Sequence, residues 1–165
     1  MSIDQLMHIV EGRVLGRYHG KYVGVVTHVD DPRELGRIRA RVPEILGLEE
    51  SGWALPAPPF GGGKNYGILF MPRVGDTVWI EFAAGDLGRP IWSGGFWGAP
   101  ETTGGTRDLA VESGNELPTG DGEAAVKPGD LVMRTKAGHR LIFDDGGEIA
   151  ILANGNGKTE IRLTR

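Results

Sequence analysis

Glycine-punctuated, strand-like segments fill residues 21–97 and are followed by a Gly/Pro-rich stretch and a tail of alternating apolar and polar residues. Glycine makes up 28 of the 165 residues, more than twice its usual share of about 7%. These glycines fall between apolar segments, which indicates frequent turns between short strands. The tail holds too few large apolar residues for a core of its own, because a small isolated sheet is marginally stable in water. The sequence therefore predicts a β-rich subunit that associates with copies of itself.

Charge and composition restrict the partners of the chain. Eighteen basic and 22 acidic side chains give a formal charge of −4, which offers no general attraction for nucleic acid or anionic membranes. The chain has no cysteine, so it forms neither a disulfide framework nor a thiolate metal site. The sequence shows neither a signal-peptide pattern nor an apolar run long enough for a transmembrane helix. We expect a soluble chain that assembles in the cytoplasm.

Four segments follow from the pattern. Residues 1–20 are predicted to be largely helical, residues 21–98 form a barrel, residues 99–128 form a Gly/Pro-rich linker, and residues 129–165 form the tail. The helix prediction rests on apolar residues that recur at helical intervals. They are Ile3, Met7, Val10 and Val14.

The second segment predicts five short antiparallel strands and one long loop. The strands are Tyr22–Val29, Arg37–Val42, Tyr66–Phe70, Thr77–Phe82 and Pro90–Gly94. Such a set predicts a closed, five-stranded antiparallel barrel of the OB type, with a β-sandwich as the alternative. The predicted barrel core consists of Val25, Ile38, Ala40, Val42, Val78 and Ile80.

Four strand-like stretches make up the tail, at residues 131–135, 139–144, 148–153 and 159–164. Their alternation is typical of strands that share an apolar axis with neighbouring copies. The run Ile149–Leu152 is apolar at every position, so the pattern leaves its inward face open. The predicted spike core consists of Leu141, Phe143, Ile149, Ile151, Ile161 and Leu163.

Motifs in one order along about 75 residues resemble the N-terminal OB domain of phage baseplate spike proteins. That family includes baseplate assembly protein V and the valine-glycine repeat proteins of type VI secretion. The matching positions are Gly24-Val25-Val26, Asp31-Pro32, Leu35–Pro43, Trp53, Gly67, Phe70, Pro72, Val74-Gly75-Asp76, Val78–Phe82, Gly85-Asp86, Pro90 and Gly94-Gly95. In the tail, Gly138–Asp145 with Gly147–Ile149 is similar to the beginning of the intertwined triple-stranded β-helix of those spikes.

This resemblance implies a homotrimeric, non-enzymatic spike subunit at the centre of a contractile tail. Its barrel end would join a separate hub protein, its C-terminal end would carry a conical tip protein, and it would contact the target membrane transiently while piercing the envelope. The linker has no room for the lysozyme domain of some phage spikes, and no hub-like domain precedes the barrel. A virion or a phage-derived injection particle is therefore favoured over a type VI apparatus.

Arginines lie on one side of the second predicted strand, at Arg37, Arg39 and Arg41, and form a candidate hub contact. Together with tryptophans such as Trp79 and Trp92, they also admit an alternative function. That alternative is a monomeric OB-fold module for single-stranded nucleic acid, since OB barrels stack bases on exposed rings. The acidic net charge weighs against it.

No pattern in the sequence supports a catalytic, cofactor or metal site. The segment Gly155–Thr159 lacks the first glycine and the following helix of a phosphate-binding loop. The aspartate pairs Asp30-Asp31 and Asp144-Asp145 border turns, where aspartate is favoured locally. The four histidines show no metal-ligand spacing, although His139 could meet its copies on a symmetry axis.

Overall fold

The computed structural model describes residues 3, 7, 10, 16–95, 118–120, 125–146, 149–155 and 159–163. The chain divides into two compact units, Met1–Gly98 and Ala99–Arg165. The described part is mostly β-structure, and Ile3, Met7 and Val10 are helical. The predicted linker lies mainly outside the described residues.

In the first unit, a short helix α1 (Pro43–Leu46) and a 3-10 turn at Ala83–Gly85 accompany the strands. The strands are β1 (Tyr22–His28), β2 (Arg39–Arg41), β3 (Leu55–Pro56), β4 (Phe60–Gly63), β5 (Tyr66–Ile68), β6 (Thr77–Phe82) and β7 (Pro90–Gly95).

Five of these strands form one curled sheet in the order β2-β1-β6-β7-β3. Reciprocal backbone hydrogen bonds then join its two ends: Ile38 N donates to Ala54 O at 3.2 Å, and Ala54 N donates to Ile38 O at 2.8 Å. Ala54 leads directly into β3, so the sheet curls until its first and last strands meet. This is the arrangement expected of an OB-type domain.

The core of this unit lies inside the curl. It consists of Tyr22, Val26, Ile38, Ala40, Val42, Ala54, Val78, Ile80, Phe82 and Trp92. Gly24 allows the strands to approach closely here, because a Cβ atom at this position would lie 2.6 Å from Ile80 Cγ1 and 3.3 Å from Ala40 Cβ. The glycine of this strand is therefore a packing requirement.

Among the six predicted core residues of the barrel, Val25 departs from its expected place. Strand β1 buries Tyr22, Gly24 and Val26, so Val25 lies on the opposite, half-buried side of the strand. Because side chains alternate along a strand, Val26 faces the core instead. The sequence did not separate the two, since valine occupies both positions.

The third predicted strand also differs from the structure. Tyr66–Ile68 pairs with β4 in a separate two-stranded hairpin and takes no part in the curled sheet. The fifth strand of the sheet is β3, which runs parallel to β7 and not antiparallel. It contains Pro56, which an edge strand tolerates because its missing N–H removes no ladder bond. A two-residue strand inside a proline-rich stretch left no alternation to detect.

The second unit contains a four-stranded sheet. Its strands are β8 (Leu131–Arg134), β9 (Arg140–Asp144), β10 (Ile149–Ala153) and β11 (Glu160–Leu163). They form an antiparallel meander in the order β11-β10-β9-β8, so each strand pairs with its neighbour in the same chain. The first turn is tight: Gly138, at φ 84°, donates its N–H to the Thr135 carbonyl at 2.8 Å.

Candidate functional site

One side of the tail sheet is apolar on all four strands, and we call it the tail face. It consists of Leu131, Met133, Leu141, Phe143, Leu152, Ile161 and Leu163. The register places these residues in rows, with Leu131 opposite Phe143 and Leu141 opposite both Met133 and Leu152. Leu152 in turn lies opposite Ile161. Apart from the half-buried Leu141, the side chains are 36–65% exposed.

The other side of the same sheet is closed within the chain. Val132, Ile142 and Ile151 form its central row, and Ile142 and Ile151 are fully buried. Glu160 accepts hydrogen bonds from Arg140 Nη2 at 3.1 Å and from Arg162 Nε at 3.0 Å. Arg140 Nε on this side is buried without a hydrogen-bond partner in the described residues. The sheet therefore has one side with a small buried core and one apolar side that nothing in its own described residues covers.

The predicted spike-core residues divide between these two sides. Leu141, Phe143, Ile161 and Leu163 lie on the tail face, whereas Ile151 lies in the small core on the opposite side. Ile149 pairs with Asp144 at the start of β10, and its side chain lies outside the described part of the structure.

Sequence reasoning missed Leu152 because the surrounding run is apolar at every position. The β9–β10 register decides the matter, since it places Leu152 opposite Leu141 on the tail face. The turn length between those strands was the signal that could have fixed this register.

Arg37 is not available as a hub contact. Its guanidinium makes a two-pronged ion pair with Asp31, with Nη2–Oδ1 at 2.5 Å and Nε–Oδ2 at 3.0 Å. The two side chains are only 13% and 3% exposed. The Asp31 carboxylate also accepts the backbone N–H groups of Arg33, Leu35 and Arg37. The motif Asp31-Pro32 to Arg37 thus fixes the shape of the loop before β2.

This environment changes the acidity of Asp31. The hydrogen bonds from the Arg37 guanidinium, together with those from backbone N–H groups, hold the pKa of the Asp31 carboxyl well below its ordinary value of 3.8. The charged form of Asp31 is therefore the one that the folded loop requires.

The other two arginines keep part of their surface. Arg39 lies with its Cζ 5.9 Å from the Trp53 ring centroid and donates to the Ser51 carbonyl at 3.2 Å. Arg37 contacts the same ring at 5.5 Å, so Trp53 lies against two guanidinium groups. Arg41 is exposed. Arg39 Nη1 also lies 3.6 Å from Glu50 Oε2, so part of its charge is already paired within the chain. Arg41 is therefore the arginine of this strand that is most open to a partner.

Two of the barrel tryptophans are already occupied in ways that oppose base stacking. Trp92 is buried, and its Nε1 donates to the Gly36 carbonyl at 3.0 Å. Trp53 has both arginines against its ring. Trp79 is half-buried on the outer side of β6. Of the four tryptophans, Trp97 lies outside the described residues, and none of the other three offers a fully open ring for base stacking.

A second apolar surface, which the sequence pattern did not indicate, lies on the first unit. We call it the hairpin surface: it consists of Leu35, Pro56, Phe60, Tyr66, Ile68, Leu69, Phe70 and Met71. A shallow groove of about 330 Å³ runs between the hairpin and the segments on either side of it. The rings of Phe60 and Tyr66 meet edge to face beside it, with centroids 5.7 Å apart.

The polar candidates of the sequence have local roles. Within the described residues, no three His, Asp or Glu side chains converge in a way that could hold a metal ion. His139 Nδ1 accepts the Gly155 N–H at 3.2 Å, and residues 156–158 of the glycine-rich candidate loop lie outside the described part. Across those same ranges, no helix is long and apolar enough to cross a bilayer.

Comparison with known proteins shows what the first unit is similar to. Residues 22–97 match the family described as the type VI secretion system/phage-baseplate injector OB domain. The match begins at the first residue of β1 and ends just after β7, so it covers the whole curled sheet. This confirms the resemblance carried by the motifs within residues 22–97, and the tail lies outside the matched residues.

Three curated relatives are type VI secretion system spike proteins of Pseudomonas aeruginosa PAO1. VgrG1c and VgrG1b are each 31% identical to the chain over 84 residues, and VgrG1a is 30% identical over the same length. The aligned part is 49% of this chain but only 11–13% of each relative. The chain thus matches only a short part of these much longer proteins.

Proposed function

Because residues 22–97 carry the injector OB domain of phage baseplates and type VI secretion systems, we propose that the chain is a structural spike subunit. It forms a homotrimer in a contractile phage tail or a phage-derived injection particle, links the hub to the tip, and pierces the target envelope. The observation that carries the proposal is the tail face, an apolar surface across four strands in a chain that also carries an injector OB domain.

Leaving the tail face exposed to water is energetically unfavourable in a single chain, and this supports assembly. Burying one leucine, isoleucine or phenylalanine side chain is worth roughly 1.5–3 kcal/mol. Six members of the tail face are at least 36% exposed, so covering them with copies of the same face is strongly favourable. The resemblance to phage spikes, not the pattern of the tail, supplies the number three.

The pairing of the tail strands shapes the proposal further. Strands β8 to β11 make their ladder hydrogen bonds within one chain. Over these residues, three copies would therefore pack preformed sheets around the axis, tail face inward, in place of interwound strands.

Stiffness is the mechanical role of such a tail. Three sheets with a common apolar core would unfold together, since none can lose its strands without exposing the others. Axial force from a contracting sheath would then pass to the tip without local melting. The hub would bind at the barrel end, where the exposed Arg41 offers positive charge, and the tip would bind at the C-terminal end.

Native mass determination tests the proposal. We expect size-exclusion chromatography with light scattering to give three times the 17.7 kDa chain mass at micromolar concentration. A stable monomer at that concentration would contradict the trimeric spike. Immunodetection of the chain in purified particles tests the location, and its absence from intact particles would exclude a role as a virion component.

A further inference from the structure

The hairpin surface is continuous, although its residues come from three parts of the chain. A Cβ atom at Gly36 would lie 3.4 Å from Met71 Sδ, 3.5 Å from Leu69 Cδ2 and 3.7 Å from Pro56 Cγ, so these groups meet beside Leu35. Pro56 and Leu69 also line the groove with Phe60, Tyr66 and Ile68, which extends the surface along the hairpin.

The exposure of this surface is high for a well-folded domain. Phe60, Tyr66 and Phe70 are each more than half exposed, and Ile68 and Met71 are more than 40% exposed. None of the residues that line the groove is charged. Contiguous apolar surfaces of this kind on soluble proteins mark contact sites.

The hairpin has little support of its own apart from the ring contact between Phe60 and Tyr66. An isolated two-stranded hairpin is marginally stable in water. Here Gly61 and Gly67 face each other at φ 140° and 144°, and a Cβ atom at Gly67 would lie 2.9 Å from the Phe60 carbonyl oxygen. The strands therefore meet through bare backbone, with no side-chain packing between them at that point. A covering partner would stabilise the hairpin.

The size of the tail face points to the identity of that partner. Six of its side chains are 36–65% exposed, which at roughly 150–200 Å² for a whole large apolar side chain leaves on the order of 500 Å² of accessible surface. A stable protein interface buries about 800 Å² on each partner. The tail face alone therefore falls short of what a long-lived assembly needs, and a second contact between copies has to supply the difference.

We propose that the hairpin surface is this second contact, and that it packs against the hairpin surface of neighbouring copies. The inference rests on the proposed homotrimer. The hairpin surface is apolar, and its members carry no charge. This favours a permanent contact between copies over a transient partner, because homo-oligomer interfaces are more apolar than non-obligate ones. The two units of each chain would then each add to one assembly interface, and their contributions would reinforce each other through effective concentration.

Phe70→Asp in the full chain tests this inference, with Leu48→Asp as the matched control. Leu48 is 93% exposed and lies on the same unit outside the hairpin surface. Sedimentation velocity over a dilution series gives the concentration at which half of the trimer has dissociated. We expect Phe70→Asp to raise it at least tenfold and Leu48→Asp to change it less than threefold. Tryptophan fluorescence checks that both variants fold, since all four tryptophans lie between residues 53 and 97.

A proximity test is independent of stability. The chain has no cysteine, so a single Ile68→Cys substitution gives one reactive thiol per copy, and Leu48→Cys is again the control. A short bismaleimide should join two Ile68→Cys copies and leave the control uncoupled.

The inference requires both results. A trimer that keeps its dissociation midpoint in Phe70→Asp, or one in which Ile68→Cys does not couple, would overturn it and leave the trimer intact. A wild-type chain that is monomeric throughout would instead refute the proposed function itself.

Discussion

The two sheets of this protein solve the same problem of apolar burial in different ways. The sheet of the first unit curls until Ile38 and Ala54 bond across its ends, so its apolar side closes on itself. The tail sheet is a simple meander that keeps both edges and leaves one apolar side open. In both sheets, side chains along each strand point alternately to one side and the other. The difference lies in closure: the first unit buries the apolar side of its sheet within one chain, whereas the tail would bury its open side only in the proposed trimer.

Ile80→Ala gives the largest expected effect and tests the self-sufficiency of the first unit. Ile80 is fully buried against Gly24 and the rest of the core, so truncation should lower the free energy of unfolding by about 2–5 kcal/mol. Urea unfolding followed by tryptophan fluorescence measures the loss. The loss should not depend on protein concentration, and the exposed control Leu48→Ala should change stability by less than about 0.5 kcal/mol. A loss that grows on dilution would show that the first unit also depends on assembly for its core.

Ile161→Asp tests the opposite dependence in the tail. The side chain of Ile161 is exposed in one chain, so the substitution removes no core contact there. In the proposed trimer it would bury a charge on the shared axis, and we expect the dissociation midpoint to rise at least tenfold, which corresponds to about 1.4 kcal/mol. Analytical ultracentrifugation provides the measurement.

Arg162→Asp is the neighbouring control, because Arg162 lies on the opposite side of β11 and bonds Glu160. Its effect on the midpoint should be clearly smaller than that of Ile161→Asp. Equal effects of the two variants would mean that the tail face is not the contact between copies.

The same contrast explains which parts of the structure were predictable from the sequence. The inward side of β6 and the residues Ile38 to Val42 were predictable because apolar and polar residues alternate there. Val25 and Val26 were not separable, since both are apolar, and Ile151 and Leu152 posed the same problem in the tail. In each pair the partner strand decides the facing, and register is a property of the folded sheet.

Contacts that depend on how loops and separate segments fold together were the least predictable. The motif from Asp31 to Arg37 was visible as a turn, but the ion pair within it depends on how the loop folds back. The same is true of the hairpin surface, where Leu35, Pro56 and Leu69 come together from separate segments. Proline and glycine gave that region the composition of a loop, and composition carries no information on which segments meet.

The smallest of the three effects concerns pH and would sharpen the contrast between the units. The folded first unit holds the pKa of Asp31 below 3.8, so the unfolded chain binds the proton more readily and the contribution of Asp31 is lost as the pH falls. It is fully present above the ordinary pKa and should decline from about pH 5 downward. In thermal melts followed by tryptophan fluorescence, the wild-type first unit should therefore lose stability between pH 5 and pH 3 more steeply than Asp31→Asn. The variant should be less stable at pH 7, because the ion pair with Arg37 is gone, and the two melting temperatures should converge in acid. Parallel pH profiles would show that other carboxylates dominate, and that the Asp31 loop shapes the first unit without controlling its acid stability.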